Sequence, residues 1–105
     1  MVSSADLRRI ALALPESAEL DHHGFSSFRV HGKIFATLPD GRHAHVMLDE
    51  GGIRAAVSEQ PQACSELWWG KRLAAVRVDL DVIDDAVLTE LVTDAWRRKA
   101  PRRLV

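Results

Sequence analysis

Phe28-Arg29-Val30-His31-Gly32-Lys33-Ile34-Phe35-Ala36-Thr37-Leu38 is the stretch that decides the fold. Two β-leaning runs, Phe25 to Val30 and Lys33 to Leu38, flank a two-residue connection, His31-Gly32. A hairpin that tight needs a positive φ, which Gly32 supplies without steric penalty. Strand-like patterning spreads outward from it. Ala18 to His22 predicts a strand before the hairpin, and Pro39-Asp40-Gly41-Arg42 is a turn leading into a further strand over His43 to Leu48. The centre of the chain therefore reads as an antiparallel meander. Asp49-Glu50-Gly51-Gly52 ends the meander, and its two glycines predict a mobile loop.

Helical spacing brackets this sheet. Ser3 can cap a first helix, with Asp6 in its first turn and Val2 packing on Leu7; Leu7, Ile10, Ala11 and Leu14 form its apolar stripe, and Pro15 ends it. Ile53, Ala56 and Val57 predict a short second helix ending near Pro61. Gln62 to Arg72 has little periodicity and reads as a loop anchored by Trp68-Trp69, whereas Val76, Val78 and Leu80 alternate with Arg77 and Asp79 as in a strand over Ala74 to Leu80. Asp84 is a candidate N-cap for a third helix with a broad apolar face of Val87, Leu88, Leu91, Val92, Ala95 and Trp96. The expectation is an α+β fold with an antiparallel sheet of about four or five strands covered by helices.

Composition narrows the function. At 105 residues the chain fits one domain, residues 1–105, and 47% hydrophobic with 28% charged residues is the balance of a packed globular protein. A formal charge of -1 excludes a general nucleic-acid coat protein, because affinity for a polyanion comes mainly from neutralising phosphates; any such binding must be local to a patch. Cys64 is the only cysteine, so neither an internal disulfide nor a cysteine metal cage can form. The start of the chain lacks a secretion signal, and no stretch approaches the ~18 apolar residues of a membrane span, so a cytoplasmic protein without membrane contact is expected.

The candidate patch is the segment Ala95 to Leu104, which joins Trp96 to Arg97, Arg98, Lys99, Arg102 and Arg103. Lys71 and Arg72 beside Trp68 and Trp69, with Arg29 and Lys33 at the hairpin, could extend it into a groove for a phosphate backbone. A structural explanation competes with this one: cations at a helix C-terminus favour the dipole, and Asp79, Asp81, Asp84, Asp85 and Asp94 could cancel the field. Adjacent aromatics usually plug a sheet edge, and in an extended segment at most one of Trp68 and Trp69, with Trp69 favoured, is presented for stacking. His43 and His45 share a strand face but lack the further ligands a zinc site needs, so no metal or cofactor is expected. Neither a phosphate-cradling loop nor a nucleophile elbow is present, and a non-enzymatic binding module is expected.

The order of elements, with Phe28 to Leu38, Leu7-Arg8-Arg9-Ile10-Ala11-Leu12-Ala13-Leu14-Pro15-Glu16, Trp69 to Leu80 and Ala95 to Leu104, resembles the MmcQ/YjbR family of small bacterial proteins over nearly the whole chain. The resemblance implies a frataxin-like, double-wing arrangement, with the N- and C-terminal helices on one face of the sheet, and DNA as a partner. Relatives carry a His-Trp-Asn-Thr-Val string before the last strand; Trp69-Gly70-Lys71-Arg72 occupies that region here, so no role tied to that histidine or asparagine transfers. An iron-delivery role by analogy with frataxin is disfavoured by Arg8 and Arg9, where an acidic ridge is wanted. The expected site is therefore Arg97, Arg98, Lys99, Arg102, Arg103, Lys71, Arg72 and Trp69 on DNA phosphates; the alternative is a protein-interaction or small-ligand domain using the Trp68-Trp69 loop and the sheet.

Overall fold

The hairpin forms where the sequence places it, in a computed structural model that describes residues 1–105. β2 (Phe25–Val30) and β3 (Lys33–Leu38) pair antiparallel around His31-Gly32, whose φ angles of 50° and 78° are both positive. That sign at both positions gives the turn the same right-handed twist as the strands it joins. β1 (Ser17–His22) pairs with β2 on one side, and β4 (His43–Val46) with β3 on the other.

The remaining strands complete a six-stranded sheet in the order β1-β2-β3-β4-β6-β5, every neighbouring pair antiparallel. β6 (Arg72–Asp79) is the strand expected over 74 to 80. β5 (Cys64–Trp69) corrects the loop expected over 62 to 72 and adds a strand to the four or five anticipated. It is an edge strand with only Cys64 buried and Leu67 half-buried, so it has no need of the alternation that betrays a strand buried on one face. Register shifts at Phe28/Arg29 and Leu67/Trp68 mark irregularities in two hairpins, and a bulge of this kind bends its strand and increases the local twist.

Three helices cover one face. α1 (Ser4–Leu12) begins with a capping box: Ser3 Oγ accepts from the Asp6 N–H at 3.2 Å, and Asp6 Oδ2 accepts from the Ser3 N–H at 2.8 Å. Replacing Ser3 by Ala removes one half of that reciprocal pair and is expected to cost about 1 kcal/mol in chemical denaturation. α2 (Glu50–Glu59) starts earlier than its apolar stripe suggests. Residues 50 to 52 are its first turn rather than a mobile loop, because Asp49 Oδ1 accepts from the Gly52 N–H at 2.8 Å. A Cβ at Gly52 would stand 3.2 Å from that oxygen and 3.3 Å from Leu48 Cβ, so the glycine permits the close cap. α3 (Asp85–Lys99) is the helix expected, with Asp84 at the N-cap position but making no side-chain cap bond.

A single buried cluster joins the layers. Leu7 and Ile10 of α1, Ile53 of α2, and Leu88, Val92 and Trp96 of α3 pack with Phe28, Val30, Val46, Val76 and Val78 of the sheet. Trp96 closes one end, its Nε1–H donating to the Pro15 carbonyl at 3.1 Å. No helix is long and apolar enough to cross a membrane.

Candidate functional site

Strand alternation that sends Phe28, Val46 and Val76 into the core sends Arg29, Thr37, His45 and Arg77 to the other face, which no helix covers. A cavity of about 610 Å³ occupies this open face. Arg29 and Lys33 reach it from the β2–β3 hairpin, Arg72 from the start of β6, and Arg98 and Lys99 from the last turn of α3. Five cations thus line one cavity, and not one carboxylate lines it with them.

None of these five cations is spent in an ion pair. Arg29 Nε donates to Ser27 Oγ at 3.0 Å, and Arg98 Nη1 to the Met47 carbonyl at 2.9 Å. The Arg72 guanidinium lies 5.7 Å from the centre of the Trp69 ring, within cation–π range. The Lys99 ammonium is pushed below the usual lysine range, first by burial and then by Arg98, Arg72 and Lys33. Lys33 at the start of β3, Arg72 at the start of β6, and Arg98 and Lys99 at the end of α3 thus line the turn end of the cavity.

Further along, the lining changes character. Ile34 and Met47 supply apolar surface, and at the far end the His22 and Phe25 rings meet edge to face at 5.4 Å. His45 stands between with Thr37; its Nε2 is buried without a hydrogen-bond partner. Burial and then Arg77 lower the His45 pKa from an ordinary 6.5, so the ring is neutral at pH 7, with one donor and one acceptor nitrogen.

The expected site residues separate into two groups. Arg72, Arg98, Lys99 and Trp69 come together at the cavity, joined by the hairpin's Arg29 and Lys33. Arg103 does not: its guanidinium forks onto Glu16 at 2.9 and 3.0 Å, and His31 Nε2 reaches the same carboxylate at 2.7 Å. Arg97 turns to Asp94 at 3.6 Å, while Arg102 and Lys71 make no ion pair and lie outside the cavity lining. Of the acids that could have cancelled the field, Asp79 and Asp81 face Arg42 and Asp85 faces Arg9. Both tryptophans are exposed, Trp68 at 46% and Trp69 at 53%, so the pair does not plug the edge; Trp68 Nε1–H donates to Glu66 at 3.0 Å. His43 Nδ1 contacts Asp40 at 3.1 Å, and no three His, Cys, Asp or Glu side chains gather to hold a metal ion. Reasoning from the sequence missed His22, Thr37 and His45 as lining residues. For Thr37 and His45 the signal was a polar residue set between two core residues of a strand, Ala36 and Leu38 in one case and Ala44 and Val46 in the other.

The Glu16 cluster has a pH signature. Arg103, then His31, hold the Glu16 carboxyl at about 2, below its ordinary 4.5. A folded-state pKa below the unfolded one stabilises the fold above the unfolded value and stops doing so as pH falls through the folded value. The melting temperature is thus expected to decline from about pH 4.5 towards pH 2, and Glu16→Gln to flatten that decline in melts recorded across the range. Asp40, also held at about 2 by backbone N–H groups of Arg42 and His43, leaves a residual slope in the variant.

These features define a small α+β domain of three helices and six antiparallel strands, with a basic cavity on its uncovered sheet face. The chain belongs to the YjbR family, whose model matches residues 12–98. The fold is similar to that in the crystal structure of Deinococcus radiodurans protein DR2400, a DUF419 domain, with a TM-score of 0.76 at 21% identity over 91% of this chain and 77% of that one. No curated protein matches the chain in sequence.

Proposed function

We propose that this chain is a small, non-enzymatic binding module that engages the phosphates of a DNA strand on the open face of its sheet. The observation that carries the reading is the gathering of Arg29, Lys33, Arg72, Arg98 and Lys99 around one cavity without a carboxylate among them. Like charges so placed oppose one another until an anion arrives, and nothing in the fold neutralises them. The site is centred on the cavity instead of along the whole Ala95 to Leu104 segment, because Arg97 and Arg103 are already paired. A single strand suits it better than a duplex. Single strands are held by basic grooves with aromatic surfaces on which bases stack, and Trp69 is an exposed ring at the cavity's edge.

A second reading, a small-ligand domain, is favoured by the cavity itself. A volume of about 610 Å³ with mixed apolar and polar walls is that of a small-molecule pocket. Fluorescence anisotropy with a labelled single strand and a labelled duplex, across a salt series, tests the first reading. Single-strand binding is expected with a slope of log affinity against log salt of about -3, from four phosphates at about -0.7 each. Absence of binding at low salt, or binding indifferent to salt, removes it.

A further inference from the structure

We infer that the turn end of the open-face cavity is a receptor for a terminal phosphate, the phosphomonoester carried by a nucleotide or by the 5′ end of a strand. The inference rests on the phosphate-binding reading above and makes it more specific. Lys33, Arg72, Arg98 and Lys99 all line this one cavity, with no carboxylate among its lining residues. They arrive from three separate elements, β3, β6 and α3, so the grouping is made by the tertiary fold and is not a run of neighbours in sequence.

Charge number and donor number both select a terminal group. A phosphodiester inside a strand carries one negative charge and two free oxygens, whereas a terminal phosphate carries about 1.5 to 2 charges at pH 7 and three acceptor oxygens. Two guanidinium groups supply planar forks of N–H donors and two ammonium groups supply compact charges, more than one diester can accept. The adjoining surface fits what such a phosphate is attached to. Trp69 offers a ring face, Ile34 and Met47 an apolar wall, and Thr37 and His45 polar side chains further along the cavity. With the phosphate at the cations, a sugar and base would lie along these walls.

The test compares a labelled oligothymidylate bearing a 5′ phosphate with the same strand ending in a 5′ hydroxyl, and thymidine 5′-monophosphate with thymidine. The native chain is set beside a Lys33→Ala, Lys99→Ala double variant, with circular dichroism confirming its fold. The phosphorylated strand is expected to bind at least about tenfold tighter than its hydroxyl counterpart, a preference that the double variant loses. Binding of the free monophosphate but not of either strand also supports the terminal-phosphate receptor, while overturning the strand reading and assigning the site to a small ligand. Equal binding of the two strands, lost on removing the cavity cations, overturns the inference and leaves the strand reading standing. A 5′ preference that persists in the double variant overturns it too. No binding of any probe overturns both.

Discussion

A chain carrying Arg72→Ala, Arg98→Ala and Lys99→Ala together is expected to fold as the native chain does and to bind a DNA strand on the order of a hundredfold to a thousandfold more weakly. Each of the three lines the cavity, and on a bound phosphate each would supply hydrogen bonds to a charged acceptor, worth about 1.5 kcal/mol or more apiece. Three such losses exceed 4 kcal/mol only if they add, and side chains sharing one anion add imperfectly, hence the lower bound of about a hundredfold. The fold should tolerate the change, because no ion pair is broken. Its structural costs are the Arg98 bond to the Met47 carbonyl and the exposed Arg72 contact with the Trp69 ring, offset in part by relief of the crowding around Lys99. The companion variant, Arg97→Ala, Arg102→Ala and Arg103→Ala, removes the same net charge from residues outside the cavity lining. Anisotropy titrations should find it within about threefold of the native chain, since none of the three lines the cavity and Arg97 and Arg103 are already paired with Asp94 and Glu16. Equal losses in the two variants would mean that diffuse positive charge, not the cavity, attracts the strand.

Phe28→Ala should lower unfolding stability by about 3 to 5 kcal/mol, the usual range for deleting a buried aromatic side chain. Phe28 is wholly buried, opposite Ala36 of β3 at the register shift, on the face that meets the helices. A hole there cannot be filled by an adjacent strand whose position is fixed by ladder hydrogen bonds on both sides. At about 4 °C per kcal/mol for a chain of this size, the melting temperature should fall by at least about 12 °C. Leu20→Ala provides the contrast: its side chain is 51% exposed on edge strand β1, and a change within about 0.5 kcal/mol is expected. A loss below about 1 kcal/mol for Phe28→Ala in calorimetry or urea titration would contradict its place in the core.

The parts of the fold that were legible are those in which local chemistry and burial agree. His31-Gly32 marks its turn by backbone sterics alone, and the stripe from Val87 to Trp96 marks α3 because one face of it is buried. β5 escaped because its side chains mostly face solvent and its pairing with β6 is a backbone matter; Gly70, at φ 62° in the Trp69-Gly70-Lys71-Arg72 turn, was the one local sign of the hairpin that joins them. The site was half legible. A run of cations in sequence announces charge, but whether a guanidinium is free depends on what the fold lays beside it. Glu16 lies 87 positions from Arg103, and no local pattern couples them. Arg29 and Lys33 belong with Arg98 and Lys99 only because the fold brings the β2–β3 hairpin and the last turn of α3 to one cavity.

The fork of Arg103 onto Glu16 also bears on how the molecule behaves at a distance. By matching acids with the tail and with α1 while sparing the open face, the fold turns a chain of formal charge -1 into a body with five unpaired cations concentrated on one side. Such a body rotates in the field of a polyanion before it touches, presenting its positive pole first, so encounter rates should be fast in dilute buffer despite the near-zero total charge.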